Sequence, residues 1–183
     1  MFSNRYCFSL FDINETAVRY IGKVMTALAY ILEDEEQTQA FAKYFSLFLK
    51  SGLVIGLVGE IGMGKTCLVR ATLQALGVRT HVKSPTFNLV ESYLTELANI
   101  YHFDLYRLND ALELEELGFR DYLASDTICL VEWPEKASSL WLVMDVLMEF
   151  SFYEMGRRLH LKAMTPTGEQ LLAALQREPW LGG

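Results

Sequence analysis

Hydrophobic and polar positions along this chain fall into a repeating pattern once the first two dozen residues are passed. Ala27–Leu32 is a short apolar run that predicts a strand. Asp34-Glu35-Glu36-Gln37-Thr38 then opens a helix that runs to about Lys50, with its acidic residues in the first turn, where the helix dipole favours negative charge. Phe41, Phe45, Phe48 and Leu49 recur at helical spacing and mark its core face, and Gly52 ends the segment. Leu53–Val58 is almost wholly apolar, the signature of a strand buried on both faces. A second helix is expected from about Lys65 to Leu76, stopped by Gly77. Further strands are expected at 87–93, 98–103, 127–131, 143–152 and 157–163, and a last helix from Thr167 to Gln176. Strands alternating with helices predict an α/β three-layer fold.

The pattern shows no repeat, no low-complexity tract and no Pro/Gly/Ser linker, so one domain is expected, over 30–178. Residues 1–29 read as an extension without clear period, and 179–183 as a tail. Met25 is a possible alternative start, which would make residues 1–24 dispensable.

Between the buried strand and the second helix lies Gly59-Glu60-Ile61-Gly62-Met63-Gly64-Lys65-Thr66, which matches G-x-x-x-x-G-K-[ST]. Glycines let the backbone turn its N–H groups inward as a nest for phosphate oxygens. The helix behind adds the positive end of its dipole. Lys65 supplies a point charge for the β- and γ-phosphates, and Thr66 a hydroxyl for a magnesium ion. A strand before the motif and a helix after it are the context this loop requires.

A P-loop enzyme also needs a carboxylate near the metal, usually at the end of another strand. Asp104 follows Ile100–Phe103, and Glu132 follows Thr127–Val131. In open α/β sheets ligands bind beyond the carboxyl ends of strands, so both qualify; either could instead cap a turn or face solvent. Lys83-Ser84-Pro85-Thr86-Phe87 is a hydroxyl-bearing loop, either a switch-like contact to phosphate or an ordinary turn on Pro85. His102, two residues before Asp104, reads as a structural histidine or as a ligand or base. Trp133 reads as a core residue or as a wall beside a nucleotide. His81 and His160 carry no supporting pattern. No Asn-Lys-x-Asp sequence follows the loop, which argues against guanine recognition.

Composition narrows this further. Of 183 residues 51% are hydrophobic and 21% charged, which suits a folded domain. With 16 Lys/Arg against 23 Asp/Glu the net charge is −7, which argues against a DNA-binding protein or an independent nucleic-acid binder, whose affinity rests on cation–phosphate contacts. Residues 104–136 hold nine carboxylates and three Lys or Arg, a net of −6. Part of that acidity belongs to the Asp104–Glu132 region. The rest, around Glu113, Glu115 and Glu116, is a solvated helix face or a surface for a basic partner. Cys7, Cys67 and Cys129 are widely spaced and form no Cys-x-x-Cys pair, which fits a reducing, cytoplasmic setting. No uncharged apolar run reaches the roughly 18–20 residues of a membrane span, so no membrane role is expected.

Taken together, GEIGMGKT (59–66), VKSPTF (82–87), YHFDLYRL (101–108), GFRDYL (118–123), ICLVEWPE (128–135), GRRLHLKA (156–163) and GEQLLAAL (168–175) resemble the TsaE family of bacterial tRNA threonylcarbamoyladenosine biosynthesis ATPases, also called YjeE. The resemblance spans about residues 30–176. It implies a P-loop NTPase fold, three-layered, with a mainly parallel central sheet and helices on both faces. It implies weak ATP hydrolysis with Mg2+, dependent on the partner subunits TsaD and TsaB, and contact with tRNA only through that complex. The modified adenosine lies beside the anticodon of tRNAs reading codons that begin with A. Hydrolysis supports turnover and not the transfer itself. By the same resemblance, Gly59, Glu60, Ile61, Gly62, Met63, Gly64, Lys65, Thr66 and Cys67 hold the phosphates. Thr66 and Glu132 match magnesium positions, with Asp104 also near the metal and needed for activity. Thr86 lies in a switch-like segment, Trp133 beside the nucleotide, Arg157 at an ATP-contacting position, and Glu35 or Thr38 in a segment that approaches the nucleotide. Two positions depart from the family pattern: Cys67 stands where a second hydroxyl residue is usual, and Met63 where alanine is usual. The readings to separate from this one are a P-loop small-molecule kinase, which would need an arginine-bearing lid, and a nucleotide-dependent regulatory module without turnover.

Overall fold

The computed structural model describes residues 17–20, 23–178 and 180. Most of the expected extension, residues 1–16, lies outside the described residues, as do residues 181–183 of the tail. The strands are β1 (Ala17–Tyr20), β2 (Lys23–Leu32), β3 (Val54–Val58), β4 (Val90–Leu94), β5 (Asn99–Asp104), β6 (Thr127–Glu132), β7 (Val146–Tyr153) and β8 (Gly156–Ala163). The helices are α1 (Glu35–Ser46), α2 (Lys65–Ala75), α3 (Ala111–Glu116) and α4 (Pro166–Arg177), with short 3-10 turns at Phe119–Tyr122, Pro134–Lys136 and Ser138–Leu142.

Strands β2 to β8 form one sheet in the order β2-β8-β7-β3-β6-β5-β4, and β1 pairs with β2 beyond its edge. The pairs β3–β6, β3–β7 and β5–β6 are parallel, whereas β1–β2, β2–β8, β7–β8 and β4–β5 are antiparallel. The sheet is therefore mixed, which corrects the expectation of a mainly parallel one. The reason is connection length. A parallel neighbour needs a crossover of about a dozen residues or more, but β7 and β8 are joined by Glu154 and Met155 alone. Likewise β4 and β5 are joined by residues 95–98, a turn that the Thr95 hydroxyl closes onto the Ala98 carbonyl at 2.9 Å.

Side chains alternate across the strands and split the core in two. Ile55 and Leu57 of β3, Ile128 and Leu130 of β6, and Val146 and Met148 of β7 point to one face. There they meet Phe41 and Phe45 of α1, Leu68 and Val69 of α2, and Leu171, Leu172 and Leu175 of α4. Cys129, Val131, Phe103 and Leu147 point to the other face, which is covered by Leu114 of α3, Phe119, Ala137 and Leu140. The three long helices thus share one face. The expectation of helices on both faces holds on the second side only through one six-residue helix and short turns.

Asp34 caps α1 by accepting from the Gln37 N–H, Asp110 caps α3 within a capping box, and Thr165 caps α4. Helix α2 starts from Gly64 with no side-chain cap. Among the described helices it alone leaves its amino end to be satisfied from outside, and that end faces the site.

Candidate functional site

The loop 59–64 leaves β3 and enters α2 through three glycines in the left-handed region, Gly59 at φ 145°, Gly62 at 80° and Gly64 at 98°. At Gly59 a side chain would also collide with Phe150, whose Cβ and carbonyl oxygen both lie 2.9 Å from where a Cβ would stand. At Gly62 nothing lies within 4 Å, so this part of the loop is open. The glycines of the motif thus carry separate duties: close approach to β7 at one end and an unobstructed concave backbone further on.

Lys65 is 4% exposed and folds back over the loop. Its Nζ donates to the carbonyls of Gly59 (2.5 Å) and Glu60 (2.9 Å) and lies 3.8 Å from the centre of the Trp133 ring. Burial pushes this ammonium below its ordinary range, and the carboxylates of Glu132, Glu135 and Asp104 oppose that shift. Trp133 reaches it because the chain turns sharply after β6: the residue sits at φ 60°, its N–H bonded to the Leu57 carbonyl at 3.1 Å, and its ring packs on Tyr106 at 5.1 Å.

The carboxylates come from neighbouring parallel strands in register, Asp104 of β5 beside Glu132 of β6. Alternation places Glu132 on the same sheet face as α2, directly under that helix's first turn. The Thr66 hydroxyl donates to Glu132 Oε2 at 2.9 Å, and His102 Nε2 lies 2.9 Å from Oε1. Asp104 gathers a second set. Its Oδ2 accepts from the hydroxyls of Ser84 and Thr86, the latter at 2.8 Å, and its Oδ1 accepts from the Tyr106 N–H at 3.0 Å. Both carboxylates are nearly buried, Glu132 at 2% and Asp104 at 4% exposed.

These groups enclose a cavity of about 300 Å³, walled by the loop from Ile61 to Cys67, by Ser84, Thr86 and Asp104, and by Tyr106, Glu132 and Trp133. Of the residues picked from sequence, Ile61, Gly62, Met63, Gly64, Lys65, Thr66, Cys67, Thr86, Asp104, Glu132 and Trp133 all line it. Gly59 and Glu60 stand just outside and hold Lys65 through their carbonyls. Arg157, on β8, donates to the Met63 carbonyl at 3.3 Å and braces the loop from behind. Glu35 lies beside Cys67; burial and that carboxylate hold the Cys67 thiol above its ordinary range. Thr38 does not line the cavity. It is fully buried, and its hydroxyl donates to the Asp34 carbonyl inside α1. Met63 turns its side chain into the core at 3% exposure.

Ser84 and Tyr106 join the cavity lining beyond the residues picked from sequence, and His102, open there between a structural and a chemical role, stands behind it on Glu132. Ser84 stood in the hydroxyl-bearing loop. His102 shares its strand face with Asp104 by period-two spacing, a signal available once β5 and β6 are known to be paired.

Comparison with known proteins follows the same lines. Residues 32–159 match the family model described as threonylcarbamoyl adenosine biosynthesis protein TsaE. The chain belongs to the TsaE family. It is 40% identical over 155 residues to the tRNA threonylcarbamoyladenosine biosynthesis protein TsaE of Haemophilus influenzae, covering 82% of this chain and 98% of that one. It is 36% identical over 130 residues to the TsaE of Aquifex aeolicus, covering 70% and 90%. In three dimensions it is similar to the crystal structure of Bacillus subtilis YdiB, with a TM-score of 0.69 at 25% identity, covering 84% of this chain and 97% of that one. The TsaE-matched segment contains every cavity-lining residue. Among the described residues, no helix is long and apolar enough to cross a membrane.

Among the described residues no group of three or more His, Cys, Asp or Glu side chains gathers as a self-sufficient metal site. What is present is a hydroxyl, Thr66, on a carboxylate, Glu132, with Asp104 in the adjacent register position. Hard oxygen donors, too few to complete a shell alone, fit Mg2+, which is held by one or two carboxylates together with substrate phosphates. The uncapped end of α2 and the ammonium of Lys65 fit an anion beside it.

Proposed function

We propose that this chain is an ATP-binding, Mg2+-dependent, weakly hydrolysing subunit of the cytoplasmic assembly that forms threonylcarbamoyladenosine next to the anticodon of tRNA. The observation that carries this is the cavity's construction: a phosphate loop with an uncapped helix end and a buried ammonium on one side, and two buried carboxylates on the other. In this reading the loop backbone from Ile61 to Thr66 and the Lys65 ammonium bind the phosphates, and Trp133 and Tyr106 wall the nucleotide. Thr66 and Glu132 hold the magnesium ion. When bound, that ion supplies positive charge to the phosphate oxygens during cleavage. Asp104 holds the Ser84 and Thr86 hydroxyls at the cavity wall, where Thr86 would face the terminal phosphate, and Asp104 would orient the attacking water. Arg157 supports the loop from outside the cavity.

In this reading the chain supplies nucleotide turnover, and the transfer itself belongs to other subunits, TsaD with TsaB. An acidic chain that leaves the tRNA grip to its partners is consistent with the net charge of −7. The test is reconstitution with TsaD, TsaB, tRNA and a preformed activated threonylcarbamoyl donor. Modified adenosine should accumulate over many turnovers only when this chain and ATP are both present, and Asp104→Ala should cut that accumulation to the level seen without the chain. Multiple turnovers with the chain left out would refute the assignment.

A further inference from the structure

His102 is the most deeply buried polar side chain near the cavity, fully enclosed, and it does not line the cavity itself. It is therefore neither a direct ligand nor a group that touches phosphate. Its Nε2 meets Glu132 Oε1 at 2.9 Å. The other oxygen, Oε2, is the one that accepts from Thr66. Set against a carboxylate oxygen, Nε2 is placed as the donor of this contact. Its Nδ1 is buried and has no hydrogen-bond partner among the described residues. A histidine filling space for the fold's sake would normally have both nitrogens satisfied. Here the ring gives up one contact and is held by its grip on Glu132.

That grip has a geometric consequence. A carboxylate anchored at one oxygen cannot rotate freely about its last torsion. With Oε1 tied to β5 through His102, Oε2 is turned to the first turn of α2, where Thr66 waits. Metal-binding carboxylates and histidines are generally oriented in this way by hydrogen-bonded partners behind them, and loss of such a partner weakens metal affinity. We propose that His102 is a positioning residue that sets the orientation of Glu132 for metal binding, through Oε1, without touching metal or nucleotide. The inference rests on the reading of Thr66 and Glu132 as the magnesium-holding pair.

The register of the sheet explains why this position can play the part. His102 pairs across to Leu130 and Asp104 to Glu132, so His102 stands one side-chain step behind Asp104 on the same face of β5. From there it reaches diagonally to Glu132 on β6, while Asp104 takes up the Ser84–Thr86 hydroxyls. One strand face thus supplies both His102, which holds the first carboxylate, and Asp104, which is the second.

The test uses the full chain with His102→Leu, which keeps bulk and removes the donor, and His102→Gln, which restores an N–H near the Nε2 position. ATP affinity is measured by calorimetry in EDTA and again in Mg2+, and the readout is the gain on adding metal. The wild type should gain from Mg2+. His102→Leu should lose about tenfold of that gain and keep its affinity in EDTA, and His102→Gln should recover most of the loss. The inference is overturned if His102→Leu keeps the full gain, if it loses affinity equally in EDTA and in Mg2+, or if His102→Gln is no better than His102→Leu. A wild-type chain that gains nothing from Mg2+ would overturn the magnesium reading itself, and this inference with it. If His102→Leu does not fold, the comparison of His102→Gln with wild type decides: a gain within about threefold of wild type supports the role, and a gain lost outright refutes it.

Discussion

Across the cavity two kinds of construction face each other. On one side, from Gly59 to Thr66, the site is made by backbone. The side chains there are partly irrelevant to it: Ile61 is 72% exposed, and Met63 points into the core. On the other side, Asp104 and Glu132 act through side-chain atoms, and each of their four oxygens has at least one named partner. The loop needs conformations, which glycine supplies, and one cation. The carboxylate edge needs identities. Binding should therefore fail most sharply at the one loop side chain that carries positive charge, and chemistry should fail at the edge.

The sharpest break is expected at Lys65→Ala. It removes a buried cation that nothing else replaces, and should weaken ATP binding by about 100-fold or more in calorimetry. Binding unchanged within error would remove the loop from the site. Next in size, Thr86→Ala should lower phosphate release by about tenfold with little change in affinity, because it removes one of two hydroxyls that Asp104 holds at the cavity wall. A loss of affinity equal to the loss of rate would place Thr86 on the binding side of the division.

A different kind of break comes from Met63→Ala. It should leave nucleotide affinity within about threefold but cost about 2–4 kcal/mol of stability, read by urea unfolding, since a buried thioether leaves a cavity. An affinity loss out of proportion to the destabilisation would mean that the side chain, and not backbone alone, shapes the loop. The smallest effect should come from Cys67→Ser, a near-isosteric change at the cavity wall, with affinity altered by no more than about twofold.

The cysteines also separate the two regions in reactivity. Burial pushes the Cys129 thiol up to about 12, so at pH 8 it stays protonated, and alkylation of it should appear only on unfolding, when its pKa falls back. Cys67, half-buried at the cavity wall, should react slowly in the free protein and be protected by ATP, as mass mapping would report. Alkylation of Cys129 at a rate matching Cys67 would contradict the packing of β6.

The two regions also differed in how far they were legible. The loop is contiguous and its glycines have one physical use, so its strand, turn and helix were all readable from residues 53–76. The edge depends on which strands are neighbours. Asp104 and Glu132 were each recognisable as strand-end carboxylates, but their partnership needed the parallel β5–β6 register, which no local pattern encodes. His102 reads from sequence as either structural or chemical for the same reason, since its contact lies 30 residues away. The mixed sheet was more nearly within reach. The apolar runs at 143–152 and 157–163 lie too close together for a crossover, and so do those at 87–93 and 98–103. The 143–152 run itself is divided in the structure, because residues up to Leu142 form a 3-10 turn and the strand begins only at Val146. Strand β1 and the beginning of β2 come from a segment with no clear period, where pairing and not pattern defines the strand.

The division between a binding loop and a chemical edge is tested most directly at Asp104. On one preparation of Asp104→Ala, ATP affinity is measured by calorimetry and phosphate release is measured in the presence of TsaD, TsaB and tRNA. The account predicts affinity within about threefold of wild type and release lowered by about 100-fold or more. Affinity and release falling together, or release persisting near the wild-type rate, would contradict it.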